Sequence, residues 1–376
     1  MGVAMEQERN ASSAGIDRTD LITVVIPNYN GMEYIGACLD SVLAGTYLPR
    51  IIVVDNASSD GSFELVRDRY PQVTLLRLRA NTGFCHAVNS GLHITKTRYV
   101  MLLNNDTRVD PGCVQALYET IVQRGRTFSV GAKMLSMRDP EVIDDAGDLY
   151  CALGWAFARG KAKSRDLYGK RETVFSACAG AAMYRREVFE EIGYFDERHF
   201  CYLEDVDIGW RAMACGYRNL YEPAAIVYHA GSASSGAVHN PFKEEMTAGN
   251  NAYLLYKNMP SFQYALNRPL TALGVRIKRA YFTKKGLGEA YEKGIARGAL
   301  LIARAQAAQE ERAAGRLPAR GTIWEEAGVG ADRERPAIHP LYLGGKVPFS
   351  LLRIPFYCKI QWALWVNCIR RAADAK

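Results

Sequence analysis

A chain of 376 residues, 48% hydrophobic and 23% charged, is long enough to bury a sizeable core without staples, and its composition excludes collagen-like, disordered and coiled-coil classes. Its 9 cysteines are odd in number and include no C-x-x-C pair, which argues against a disulfide framework or structural zinc and fits a reducing cytoplasm. The net charge of +7 is unevenly placed: residues 1–260 hold 27 Lys and Arg against 31 Asp and Glu, whereas residues 261–376 hold 20 against 9, a basic tail that implies an anionic partner.

The first 20 residues are polar and lack an apolar h-region, so they read as a mobile tail and as neither a signal peptide nor an anchor. From Leu21 to Asn104, β-branched runs at 21–27, 50–56, 73–78 and 98–104 alternate with helical patterns at 33–44, 61–69 and 84–94. That alternation predicts a parallel sheet built by right-handed crossovers, with ligands outside the carboxyl ends of the strands. Those ends carry Pro27-Asn28-Tyr29-Asn30, Asp55-Asn56 and Asn104-Asn105-Asp106. Between 111 and 258 the pattern loosens to α+β. Helices are expected at 111–123, about 184–192 and 206–215, and strands near 128–133, 174–179, 217–221 and 225–229. Beyond 260 the strand signals stop; helical patterns run over 264–282 and 288–314, and a Gly/Pro-rich stretch fills 315–348. The apolar segment 349–369 contains Arg353, Lys359, Gln361 and Asn367 and is broken by Pro355, which disfavours a spanning helix. Residues 356–371, with Phe356, Tyr357, Trp362 and Trp365 beside Lys359, Arg370 and Arg371, read either as an interfacial amphipathic helix or as a helix packed on the body.

Four polar constellations carry chemistry. Asp106, in Asn104-Asn105-Asp106-Thr107 after an apolar strand, could hold a divalent cation on a diphosphate, or the segment could simply turn into the next helix. Asp55 could accept from a nucleobase N–H, or could belong to a capped turn with Ser58, Ser59, Asp60 and Gly61. Glu204, Asp205 and Asp207 suit a helix start, and their mutual repulsion raises a proton affinity as a general base needs. His229 ends a strand before a Gly/Ser-rich loop, Gly231 to Gly236; it could ligate a metal or be satisfied by a neighbour.

In this order the segments VVIPNYNG (24–31), IIVVDNASSDGS (51–62), NTGFCHAVNSG (81–91), YVMLLNNDT (99–107), AGAAMYRREVFEEIGYFDERHF (179–200), YLEDVDIGWRAMACGYR (202–218) and IVYHAGSASSG (226–236) resemble the bacterial family 2 glycosyltransferases, especially their rhamnosyltransferase-like branch. The resemblance implies the GT-A fold, an α/β class with a central, mostly parallel mixed sheet flanked by helices, and here a C-terminal helical extension. It divides the chain into a tail (1–20), a GT-A domain (21–258) and a basic helical region (259–376). The implied activity is inverting transfer of a sugar, rhamnose favoured, from a nucleoside diphosphate sugar to an acceptor hydroxyl in cell-surface polysaccharide or glycolipid assembly. The donor would be deoxythymidine diphosphate rhamnose or a UDP-sugar, and the acceptor a saccharide or a lipid-linked sugar.

Carried over by position, the resemblance makes Asp205 the general base and places Asp106 and His229 on Mg²⁺ or Mn²⁺. Asn104 stands where the first acidic residue of the D-x-D signature would be. Pro27, Tyr29, Asp55, Asn81 and Asn105 fall around the nucleotide, Gly180 and Ala181 by the sugar, and Glu204, Trp210 and Arg211 by the remaining donor and acceptor positions. A dinucleotide-dependent oxidoreductase is disfavoured because PNYNGME, not G-x-G-x-x-G, follows the first strand. The alternative is a non-catalytic protein that binds nucleic acid or a membrane through its basic tail. Nucleic acid is disfavoured because no recognised binding motif accompanies that tail. The expected location is the cytoplasm, with an anionic membrane surface on its inner face as a partner.

Overall fold

The computed structural model describes residues 21–123, 125–231, 240–316 and 351–374. The tail at 1–20, most of the Gly/Ser-rich loop and nearly all of the Gly/Pro-rich stretch lie outside the described residues.

The first half alternates strand and helix: β1 (Ile22–Asn28), α1 (Ile35–Leu43), β2 (Arg50–Asp55), α2 (Ser62–Arg69), β3 (Thr74–Arg77), α3 (Phe84–Ile94) and β4 (Tyr99–Leu103). β1, β2 and β4 are buried almost throughout and read as continuous β-branched and aliphatic runs, as strands covered on both faces do. Next come β5 (Thr107–Val109), α4 (Cys113–Gln123), β6 (Thr127–Ser136), β7 (Ile143–Asp145), β8 (Asp148–Cys151), β9 (Trp155–Ala158), β10 (Glu172–Val174), β11 (Ala181–Arg185), α5 (Arg186–Ile192), α6 (Glu204–Ala214) and β12 (Arg218–His229). The chain continues through α7 (Pro241–Asn258), α8 (Ser261–Lys284), α9 (Gly288–Ala313) and α10 (Ile354–Asp374).

The main sheet has the order β10-β12-β6-β11-β4-β1-β2-β3, with β5 beside β12 and β7 beside β6. It is parallel across β4, β1, β2 and β3 and again between β6 and β12; β11 is the antiparallel strand that joins these parts. Two layers of core sandwich it, one around Ile26, Leu39, Val53 and Met101, the other around Val25, Val54, Leu102 and Phe189. Parallel strands alternate their side chains between these layers, which explains why neighbours such as Val25 and Ile26 enter different cores.

Several elements differ from the sequence expectation. The strand expected near 174–179 is loop past Val174, and the central strand of this part lies at 181–185, its last two residues where the helix from about 184 was expected. The two strands expected near 217–221 and 225–229 are one, interrupted by a register shift between Glu222 and Ile226. The short strands β7 to β9 and the helix α7 had no expected counterpart. Strands of three or four residues are too short for a period-2 signal, and α7 shows apolar residues on several faces, because it is buried by different partners along its length.

The last four helices pack against the α6 side of the sheet. Gln263 Nε2 donates to the Tyr357 carbonyl at 2.8 Å, Asn267 and Gln361 exchange amide bonds, and Asn367 donates to the Tyr150 carbonyl at 2.9 Å, so α10 is fixed to both α8 and β8. α7, α8 and α9 enclose an apolar cavity of about 510 Å³, lined by Leu255, Met259, Val275, Phe282 and Ile302. Among the described residues no helix is long and apolar enough to cross a membrane.

Candidate active site

The strand ends expected to hold ligands do meet on one rim. Parallel register sets Asn28 of β1 opposite Asp55 of β2, and Asn28 Nδ2 donates to Asp55 Oδ1 at 3.0 Å. Asn105, just past β4, donates to Asn28 Oδ1 at 2.8 Å. Gly31 lets the loop lie this close, since a Cβ there would stand 2.1 Å from Asn105 Nδ2. Asp55 also accepts from the Ser58 N–H at 3.1 Å, and Arg77 Nε stands 3.7 Å from its second oxygen. The Asp55 carboxylate is therefore fully buried, with the half-exposed Arg77 beside it. Pro27 is half-buried and Tyr29 exposed on the same rim, while Asn81 accepts from Asn56 Nδ2 at 2.9 Å.

A second group forms where β5 pairs with β12. The antiparallel register places His229 opposite Thr107, and this brings Asp106 to the imidazole: His229 Nε2 lies 3.3 Å from Asp106 Oδ1. On the other ring nitrogen, Nδ1 lies 2.7 Å from Asp144 Oδ2, and Lys161 binds the other Asp144 oxygen at 2.7 Å. Burial alone would push the His229 pKa down, but hydrogen bonds and charge from Asp106 and Asp144 outweigh it and hold it at about 9. The imidazolium thus offsets charge on two carboxylates.

The third group is acidic. Burial raises the proton affinity of Asp205, against the pull of the Val206 and Ala179 backbone N–H groups and of a hydrogen bond from Asp148. Burial, with the charges of Asp145 and Asp205, pushes Asp148 well above the carboxylate range, and burial with Asp144 and Asp205 pushes Asp145 up to about 7. Glu204 is pushed up the same way, by burial and then by Asp205. One ligand atom each from Asp145, Asp148 and Cys178 lies within 4.8 Å of the others. Burial thus pushes both Asp148 and Asp205 up, and the hydrogen bond between them pulls Asp205 down.

The turn that delivers Asp205 is strained. Phe200, Tyr202 and Leu203 have φ of 61°, 70° and 65°, a left-handed conformation costing about 1–3 kcal/mol for each such residue. Gly83, at φ 87°, leaves room for Phe200, whose ring would be 2.5 Å from a Cβ at that position.

Residues 23–193 match the sequence profile described as glycosyl transferase family 2. That segment is a family 2 glycosyltransferase domain. This glycosyltransferase is 29% identical over 244 residues to an N-acetylglucosaminyl-diphospho-decaprenol L-rhamnosyltransferase of Mycobacterium tuberculosis, an alignment covering 58% of this chain and 78% of that one. It is 25% identical over 217 residues to a poly-beta-1,6-N-acetyl-D-glucosamine synthase of Staphylococcus aureus, over 57% of this chain and 50% of the synthase. Among solved structures it resembles GalNAc-T7 with UDP, GalNAc and Mn2+, with a TM-score of 0.53 at 17% identity, over 67% of this chain and 51% of that one. The fold is GT-A, and the enzyme reading displaces the non-catalytic alternative.

Not every residue expected at the site of this glycosyltransferase reaches it. Trp210 and Arg211 are 0% and 1% exposed and cannot line a ligand. Trp210 packs between Tyr150 and Phe175, and Arg211 binds Asp207 and the carbonyls of Ile192, Gly193 and Tyr194. At i+5 and i+6 from Asp205, both point from α6 into the body. Ala181 is likewise a core residue of β11, 1% exposed. Gly180 borders the rim, its carbonyl accepting from the Asn104 N–H at 2.9 Å. The sequence reading missed Asp144, Asp145 and Asp148; three carboxylates within five residues around Gly147 were the available signal. It also missed Arg77, whose place beside Asp55 is visible only through the β2–β3 register.

The helical region supports the strained turn directly. Asn250 Nδ2, on α7, lies 2.8–2.9 Å from the carbonyls of His199, Cys201 and Tyr202, and its Oδ1 accepts from Arg297 of α9 at 2.7 Å. Asn250 is thus a positioning residue. Asn250→Ala should lower kcat about tenfold with donor affinity nearly unchanged, because the turn then samples geometries in which Asp205 is misaligned. Paired kcat and donor-affinity measurements check it; an equal loss in both would mean general unfolding.

Proposed function

We propose that this glycosyltransferase moves a sugar, rhamnose favoured, from a nucleoside diphosphate sugar to a hydroxyl of a saccharide or lipid-linked acceptor, inverting the anomeric carbon. One arrangement carries the reading. A carboxylate of raised proton affinity, Asp205, accepts from the Ala179 N–H, next to Gly180, whose carbonyl accepts from the N–H of Asn104, two residues before Asp106. In inversion Asp205 accepts the acceptor's proton as its oxygen bonds to the anomeric carbon, and the bond to the nucleoside diphosphate breaks on the opposite face. A single carboxylate suffices. The likeness to a rhamnosyltransferase whose name specifies a diphospho-decaprenol acceptor supports both the sugar and the lipid-linked class.

Asp106 and His229 fit a divalent cation by donor type, a carboxylate oxygen and, once Nε2 gives up its proton, an imidazole nitrogen. Asp144 on Nδ1 orients the ring as carboxylates do for ligating histidines. Bound there, Mg²⁺ or Mn²⁺ would supply positive charge to the donor diphosphate. Arg77 and Asp55 would meet the nucleobase end.

The test is nucleotide release from deoxythymidine diphosphate rhamnose and from UDP-sugars with a saccharide acceptor, and the product's anomeric configuration by NMR. Release with inversion is expected; retention, or no release from any nucleoside diphosphate sugar, overturns the reading. Excess chelator should weaken donor binding at least about tenfold, and Asp106→Ala should do so with metal present. Full activity in chelator would assign the diphosphate charge to side chains alone.

A further inference from the structure

Among the described residues the basic helices beyond 260 are packed, yet they leave one broad apolar face partly exposed. On α8, Phe262, Leu266, Leu270, Leu273, Ile277 and Tyr281 are 38–52% exposed. At the helical repeat they fall in one sector about 100° wide. This sector points away from the cavity, which takes Thr271, Val275, Lys278 and Phe282 from the opposite side of the same helix. The face continues onto α10, because Trp365 Nε1 donates to Asn267 of α8 at 3.2 Å. There Trp362 and Ile369 are 69% and 73% exposed, the largest exposures among the apolar side chains of α8 and α10.

Charge frames this band on both outer edges. Arg268, Arg276 and Arg279 lie on the flank of α8 opposite to the one that Gln263 and Asn267 turn toward α10. Lys359 and Arg370 lie on the far flank of α10, and Lys284 falls within the band. Arg279 is paired with Glu292 of α9. α8 itself has no Asp or Glu, and α10 has only Asp374, at its end.

We infer that the joint face of α8 and α10 docks the protein on the surface of an anionic lipid bilayer. An apolar band two helices wide, with tryptophans near its edge and cations along both sides, matches the interface, where aromatic rings enter the headgroup level and cations meet lipid phosphates. A second copy of the chain fits less well. A two-fold contact through this face would bring rows of like charge against each other, with no acidic row to receive them. The sequence singled out the basic charge of 261–376 and the amphipathic stretch 356–371; the structure adds the apolar sector of α8.

The test uses full-length protein and vesicles that carry no saccharide, so its result is independent of which sugar is transferred. With vesicles containing about a third phosphatidylglycerol at low salt, the protein should float with the lipid. It should partition at least about tenfold less onto pure phosphatidylcholine. The variant Leu266→Ser/Leu273→Ser/Ile277→Ser should lose at least about tenfold in partitioning with an unchanged melting temperature, because these side chains stabilise little in the free protein. If that variant folds poorly, Trp362→Ser/Ile369→Ser on α10 makes the same measurement. Absence of flotation by the native chain, or native-like flotation of both variants, overturns the proposal. A lipid-free dimer that the triple variant converts to monomer, without flotation of the native protein, assigns the face to a second copy instead and also overturns it.

Discussion

Asp205→Asn should reduce turnover at least about a hundredfold, the usual worth of a positioned general base, while leaving nucleotide affinity nearly unchanged. The substitution keeps size but replaces a carboxylate that can take the acceptor's proton with an amide that cannot. The site gives this carboxylate a raised proton affinity through burial, and Asp148 donates a hydrogen bond to it. Asp148→Asn should therefore have a distinct signature. An amide can still donate to Asp205 but no longer contributes a titrating proton, so the acidic limb of the rate profile should move while substantial turnover survives. Rates over a pH series for both variants check this pair of expectations. Near-native turnover of Asp205→Asn would take Asp205 out of the reaction.

Asp207→Asn should destabilise the fold by about 3–5 kcal/mol, the range for stripping one partner from a buried ion cluster. Asp207 is fully buried and binds Arg211 at 2.7 Å, Lys257 at 3.0 Å and Asn258 at 2.8 Å; Lys257 also binds Asp196 at 2.8 Å. The cluster joins α6, the 196–199 turn and α7. Its loss would leave the Arg211 guanidinium, 1% exposed, without its counter-charge. Burial opposes ionisation of Asp207 and Asp196, but Arg211 and Lys257 on the first, and Lys257 and Arg198 on the second, hold both carboxyls well below the usual range. Because these folded values are depressed, the stability they contribute is present above the ordinary carboxylate value of 3.8 and is lost as the pH falls below it. Urea unfolding at neutral and acidic pH measures both effects. The native protein should lose stability on the acid side, and the Asp207→Asn variant should start lower and lose less. A change under about 1 kcal/mol at neutral pH would show that Arg211 is satisfied by its carbonyl partners alone.

Much of this protein is written in local sequence. The β-branched runs of β1, β2 and β4 are buried on both faces, so each must be nearly all apolar, and that property survives in a one-dimensional reading. The polar residues that end those runs, Asn28, Asp55 and Asn105, were visible for the same reason, as was the acidic start of α6. The strand 181–185 was not, since AAMYR fits helix and strand equally, and only pairing with β4 and β6 makes it a strand.

Other features are properties of register and packing. His229 meets Asp106 because β5 pairs with β12 one residue away, and Arg77 covers Asp55 because β3 ends level with β2. Trp210 and Arg211 lie next to acidic residues in sequence, yet helix rotation carries them into the core, so neighbouring positions acquire opposite roles. The amphipathic character of 356–371 could be read from composition; that α8 lies beside it and turns its own apolar sector the same way could not. A sequence states which residues can be buried or charged, through side-chain chemistry and short periodicities. Which of them come together across more than a hundred residues depends on strand order and helix packing, where the contact energy that selects the arrangement is shared between segments that no local pattern links.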